Sequence, residues 1–249
     1  MRARSDNEAS APYRRIREGG KTMEGTGAQI IVEAMKLEGI KYLFGMSSSA
    51  VLPLLDVVCD TPEIQYLQSQ HEQNAMYVAN GYARATGKVS VCLVGPGPAT
   101  TNCQSGVAQA YYTYVPSILM AVEDGTQYYG LGHSMHHGLD AVSVMKPVTK
   151  MSIRVERAGR LADLMRMAFR TSLSSKRGPA YLGIPKDILD ERASVELIAP
   201  DHYRVENARS DSSRDVDRAT RMLLEAKRPV ALAGWEVAWC EARQELVKL

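Results

Sequence analysis

The chain has 249 residues, 45% of them hydrophobic and 23% charged, which is enough apolar material for a folded domain and excludes a disordered protein. Its 19 glycines and 11 prolines follow no triplet period, which excludes a collagen-like chain, and no apolar run approaches the roughly 18–20 residues that cross a bilayer. Thirty basic residues against 28 acidic ones give a net charge of +2; that excess sits in residues 1–25, so nothing suggests a basic face for nucleic acid.

Residues 1–25 lack an apolar h-region and read as a disordered tail, not a secretory signal. From Gly27 the apolar residues Ile30, Ile31, Ala34, Met35 and Leu37 recur at helical spacing, and Gly39 ends the run. Strands are expected over 41–45, 63–67, 90–94, 116–122, 149–155 and 179–184. Helices are expected over 51–58, with Pro53 in the first turn, and over 71–86, closed by Gly87, then over 100–112 and 160–174. Strands alternate with helices throughout. The fold class expected is α/β, a doubly wound, mostly parallel sheet with helices on both faces. Ligands in such sheets lie at the carboxyl ends of the strands. Those ends are the serines 47–49, the 70–72 junction, the 95–98 turn and the irregular stretch from Glu123 to His137.

Residues 26–190 therefore read as the main domain and 191–213, polar and charged, as a linker. Residues 214–249 read as a truncated second α/β unit: a helix over 216–224, a strand over 229–234 and a helix from about Cys240. One such unit cannot bury a core of its own. The four cysteines (Cys59, Cys92, Cys103, Cys240) have no CxxC spacing and read as buried thiols in a reducing, cytoplasmic setting.

The most informative segment is Gln70-His71-Glu72-Gln73-Asn74-Ala75, followed by Asn80-Gly81-Tyr82-Ala83-Arg84-Ala85-Thr86-Gly87. A carboxylate in the first turn of a helix after a strand fits simple helix capping and dipole stabilisation. It also resembles the glutamate segment of thiamine-diphosphate-dependent 2-oxoacid enzymes, the family of acetolactate synthases, benzoylformate decarboxylases and pyruvate decarboxylases. Further matches keep the order. Gly95-Pro96-Gly97-Pro98-Ala99-Thr100-Thr101-Asn102 is similar to the family's Gly-Pro-Gly-x-x-Asn turn, in either of two registers. Pro147-Val148-Thr149-Lys150, Gly178-Pro179 through Asp187, and Lys227 through Gly234 resemble three later family segments, the last opening the family's middle domain.

That resemblance implies that Glu72 hydrogen-bonds the cofactor's pyrimidine N1′, which favours the tautomer whose N4′ removes the thiazolium C2 proton. It also implies that Gly45, Ser48, Pro96, Gly97 and Asn102 stand near the cofactor. Gly45-Met46-Ser47-Ser48 departs from the family's Gly-x-Pro-Gly. Ser49 stands where family members carry a serine or aspartate facing the substrate; it equally fits an N-cap for the next helix. His136-His137 resembles the histidine pair of the decarboxylases, which relays protons near neutral pH; a plain loop pair is the other reading. A histidine metal site is unsupported, since no Asp, Glu or Cys completes a ligand set.

The implied function is the N-terminal portion of an enzyme that decarboxylates a 2-oxo acid, with Glu72, His136, His137 and Ser49 catalytic. The alternatives are an acetolactate-synthase-type carboligase, or a non-catalytic subunit that pairs with a complete chain. The implied cofactors are thiamine diphosphate and Mg²⁺. The family holds the metal in a domain marked by Gly-Asp-Gly, a tripeptide this sequence lacks, so no metal ligand is assigned and the chain alone is expected to be inactive. The implied partners are a 2-oxo acid and a homodimer or homotetramer, or a separate diphosphate-binding chain, with neither nucleic acid nor membrane.

Overall fold

The computed structural model describes residues 20–131, 135–174, 176–204, 213–240 and 242–249. The chain divides into two units, residues 1–204 and 205–249. In the first unit β1 (Gly20–Thr26) leads into α1 (Gly27–Leu37). Thr26 starts that helix with a capping box: its hydroxyl accepts from the Gln29 N–H, and the Gln29 side chain accepts from the Thr26 N–H. Then follow β2 (Tyr42–Gly45), α2 (Leu52–Cys59), β3 (Gln65–Gln68), α3 (Glu72–Thr86) and β4 (Ser90–Val94). Two short helices, α4 (Pro98–Asn102) and α5 (Gln104–Tyr112), precede β5 (Ser117–Glu123). The rest is α6 (Ala141–Met145), β6 (Met151–Arg154), α7 (Leu161–Leu173), β7 (Pro179–Pro185), α8 (Lys186–Asp190) and β8 (Arg192–Ile198).

Six strands form one parallel sheet in the order β3-β2-β4-β5-β7-β6. Successive side chains on a strand point to opposite faces, and the core divides accordingly. Val91, Leu93, Ile118, Met120, Ala180 and Leu182 enter one apolar layer with α1, α2, α7 and α8. Their neighbours Cys92, Val94, Leu119, Ala121 and Tyr181 enter the other with α3, α5 and α6. Both faces are covered, so β4, β5 and β7 are buried along their whole length. The doubly wound α/β class is as the sequence predicts. The strand order reverses between β2 and β4, and crevices form at such switch points.

Four expectations need correction. Residues 20–25 are not tail: β1 pairs antiparallel with β8, Gly20 opposite Ile198 and Thr26 opposite Arg192. The stretch from residue 191 is accordingly not all linker, because Arg192–Ile198 is that partner strand. Gly20–Thr26 looks polar alone; pairing with a remote segment supplies its ladder, and Val195 and Leu197 of the partner strand are buried in the core. Residues 1–19 and 205–212 lie outside the described residues. Of the four cysteines, all free, Cys92 and Cys103 are buried but Cys59 and Cys240 are exposed; Cys59 is the last residue of α2, beyond that helix's buried face.

In the second unit, α9 (Ser213–Glu225), α10 (Trp235–Trp239) and α11 (Arg243–Lys248) form. The expected strand over 229–234 does not: Val230 and Leu232 are 90% and 99% exposed, and among the described residues no neighbouring strand offers them a ladder. No helix of the described residues is long and apolar enough to cross a membrane.

Candidate active site

Four chain segments meet at the carboxyl ends of the parallel strands. After β2, Gly45 is held so close to the neighbouring strand that a Cβ would lie 2.2 Å from the Leu93 carbonyl oxygen; only glycine permits that approach. The loop then turns through Ser47, whose hydroxyl donates to the Gln68 side-chain oxygen at 3.1 Å, tying it to the end of β3. The Ser48 hydroxyl oxygen is buried without a hydrogen-bond partner and faces Gly95, where an added Cβ would meet it at 2.7 Å. These contacts lie at the switch point between β2 and β4. Ser49 is exposed. It is not the N-cap, which is Val51, with no side-chain bond.

After β3 comes the glutamate. His71 is the N-cap of α3, its Nδ1 accepting from the Gln73 N–H at 3.2 Å. The capping bond therefore belongs to His71, and the carboxylate of Glu72 is free for another partner. That partner is Asn102, whose Nδ2 donates to Glu72 Oε2 at 3.0 Å. Glu72 is half-buried. Beneath it the Cys103 thiol donates to the Glu72 carbonyl at 3.3 Å. A hydrogen bond with Cys92, burial and the nearby Glu72 charge together hold that thiol protonated, far above the usual thiol range. It is packing, not a nucleophile.

After β4, the buried Pro96 and Gly97 shape the turn. Gly97 has φ +55° and starts α4, with its carbonyl accepting from the Thr100 and Thr101 N–H groups. This short helix delivers Asn102 to Glu72. A Cβ on Gly97 would sit 3.0 Å from His137 Cα, so the Gly-Pro-Gly turn and the histidine pair are packed together. His136 is exposed, His137 half-buried, and their rings meet edge-on with centroids 4.5 Å apart. His137 Nδ1 lies 3.4 Å from Asp124 Oδ1.

After β5 lies a cavity of about 280 Å³, lined among others by Gly97, Asp124, Tyr129, His137, Asp140 and Arg154. Its floor is a buried ion pair that the sequence reading missed. Glu123, closing β5, accepts from Arg154 Nε at 2.5 Å and from the Tyr181 hydroxyl at 2.8 Å. Arg154 also lies over the Tyr129 ring, 4.1 Å from its centroid. Burial, followed by the adjacent Glu123 charge, pushes the Tyr181 phenol well above its ordinary range, so it stays a donor. The signal for this pair was a Glu-Asp dipeptide ending an otherwise apolar strand.

Residues 25–144 match the family of thiamine pyrophosphate enzymes, through its N-terminal TPP binding domain. Residues 25–144 are a TPP binding domain of that family. Among curated relatives, the chain is 30% identical over 224 residues to the acetolactate synthase large subunit of Buchnera aphidicola subsp. Schizaphis graminum, covering 89% of this chain and 39% of that one. It is also 30% identical over 224 residues to the acetolactate synthase isozyme 3 large subunit of Escherichia coli K12, with the same two coverages. A third, the acetolactate synthase large subunit of Corynebacterium glutamicum, is 30% identical over 89% of this chain and 35% of its own length. The chain thus spans under two-fifths of the curated relatives it matches.

The strand ends carry polar groups of a kind that thiamine pyrophosphate would need. The site presents a half-buried carboxylate with one oxygen on Asn102 and, at the switch point against Gly95, the buried, unpaired Ser48 hydroxyl. Such an orphan oxygen marks a place where a ligand donor is favoured. For Mg²⁺, no group of three or more His, Cys, Asp or Glu side chains among the described residues is placed to hold a metal ion.

Proposed function

We propose that this TPP binding domain serves an acetolactate-synthase-type large subunit, which joins two 2-oxo acids with loss of CO2. The relatives' names support that reading over simple decarboxylation. The single observation that carries it is the Glu72 carboxylate, released from capping by His71 and aimed by Asn102.

When bound, thiamine diphosphate supplies a nucleophilic carbon for attack on the keto group. The residues of this chain do the rest. Glu72 Oε1 would accept a hydrogen bond from the protonated pyrimidine ring nitrogen and so favour that protonation state. Asn102 fixes the carboxylate so that it arrives pre-oriented. Gly45 and the Gly95–Gly97 turn let backbone approach the ligand closely, and the Ser48 hydroxyl is an unsatisfied acceptor there. We place the diphosphate and Mg²⁺ outside these 249 residues, so the chain alone is inactive, and we propose residues 214–249 as the start of the middle domain.

The contact of His137 with Asp124 favours a second reading, a decarboxylase that protonates instead of ligating. Product analysis separates the two: acetolactate-type hydroxy-keto acid for the first, aldehyde for the second. The central test is Glu72→Gln in the assembled enzyme, read as exchange of the cofactor C2 proton with deuterium. The exchange should slow by at least about 100-fold, the scale of a lost acid–base contribution. An unchanged rate refutes the assignment of Glu72.

A further inference from the structure

Three carboxylates face the cavity beyond β5, and they are committed differently. Glu123 is taken by Arg154 and Tyr181. Asp140 caps α6, accepting from the Ser143 N–H at 3.1 Å and its hydroxyl at 2.6 Å. Asp124 meets His137 Nδ1 at 3.4 Å, and its Oδ2 is buried with no hydrogen-bond partner. The cavity's guanidinium, Arg154, is already held by Glu123 and by the Tyr129 face. Among the described residues, His137 is therefore the group positioned to answer the Asp124 charge.

The ring of His137 is also confined. Gly97 is packed against its Cα, Cβ and Cδ2 positions, and the His136 ring meets it edge-on. The Nδ1 contact is slightly longer than a formed N–H···O bond, and such catalytic contacts shorten when a site is occupied. A neutral imidazole carries one proton, and the partner of one nitrogen decides which tautomer is present.

We propose that Asp124 is a positioning residue that holds His137 as the Nδ1–H tautomer, leaving Nε2 as the nitrogen that takes and gives a proton. The Nδ1 proton stays on the ring throughout, donated to the Asp124 carboxylate. Gain of a proton at Nε2 from solvent takes the ring from neutral to +1 beside the carboxylate, and its return to solvent restores the neutral ring; no other group of the chain changes charge. The catalytic meaning of this rests on reading the histidine pair as part of the reaction site, but the coupling does not need the cofactor.

The test is ¹⁵N NMR of the ¹⁵N-histidine-labelled chain at pH 8, with His137 assigned by its loss in His137→Gln. Wild type should show His137 as Nδ1–H, favoured roughly tenfold or more by a bond to a charged acceptor. Asp124→Ala should return it toward the Nε2–H form, and Asp124→Glu should restore Nδ1–H. A wild-type His137 in the Nε2–H form overturns the proposal, even if the alanine variant fails to fold. So does an Nδ1–H signal that survives Asp124→Ala. Either result leaves the Glu72 exchange test untouched, so the two failures are distinguishable.

Discussion

Removing Arg154 tests the buried floor of the cavity. The Glu123 side chain is 6% exposed and the Arg154 side chain 23%. Arg154→Met keeps the aliphatic stem but strands a buried carboxylate with only the Tyr181 hydroxyl as donor. Breaking a buried pair from one side costs about 3–5 kcal/mol. Glu123→Gln keeps the shape and leaves a guanidinium that can turn toward solvent, so about 1–2 kcal/mol is expected from its lost charge-assisted bonds. The double variant has no stranded charge and should be more stable than the sum of the singles predicts, by about 2–3 kcal/mol. Urea unfolding of the four proteins gives this coupling from the midpoints, provided the slopes agree. A cost for Arg154→Met below about 1 kcal/mol, with coupling within about 0.5 kcal/mol of zero, refutes the reasoning.

Gly45→Ala should lower the melting temperature and destabilise by about 1–3 kcal/mol or more, because its methyl would meet the Leu93 carbonyl at 2.2 Å; an unchanged melting temperature contradicts the strand spacing described. Glu38, just past α1, is buried beneath Tyr203 and Arg204, which both donate to it. Burial raises its carboxyl from 4.5 to about 7 against the opposing pull of Arg204. The folded state then binds more protons than the unfolded chain between those values, so stability should fall as pH rises from about 4.5 through about 7. Glu38→Gln should flatten that part of the pH–stability curve, and an equal slope in wild type and variant refutes the assignment.

The parallel sheet was legible because its central strands β4, β5 and β7 are buried on both sides and read as continuous apolar runs, separated by helices with clear ends such as Gly87. The β1–β8 pair was not. Its partners lie at opposite ends of the domain sequence, and Gly20–Thr26 carries too few apolar residues to announce a strand. The opposite error occurred at 229–234, where an apolar run suggested a strand but backbone hydrogen bonding needs a neighbour. In the site, Glu72, Asn102 and the Gly-Pro-Gly turn stood out only through the resemblance of their segments to the family's motifs. Asp124, Arg154 and Tyr181 were not, because their meaning comes from three strands ending side by side. Ser49 was singled out by position in a motif, yet it is Ser48 that turns inward, one residue earlier, against Gly95.

The pairing of β1 with β8 has a topological consequence. Because Gly20 lies opposite Ile198, the backbone of this domain comes within a hydrogen bond of closing into a ring. A short linker could splice these two positions and a new opening be cut in a surface loop far from the strand tips, giving a circular permutant whose six-stranded layer keeps every neighbour it has now.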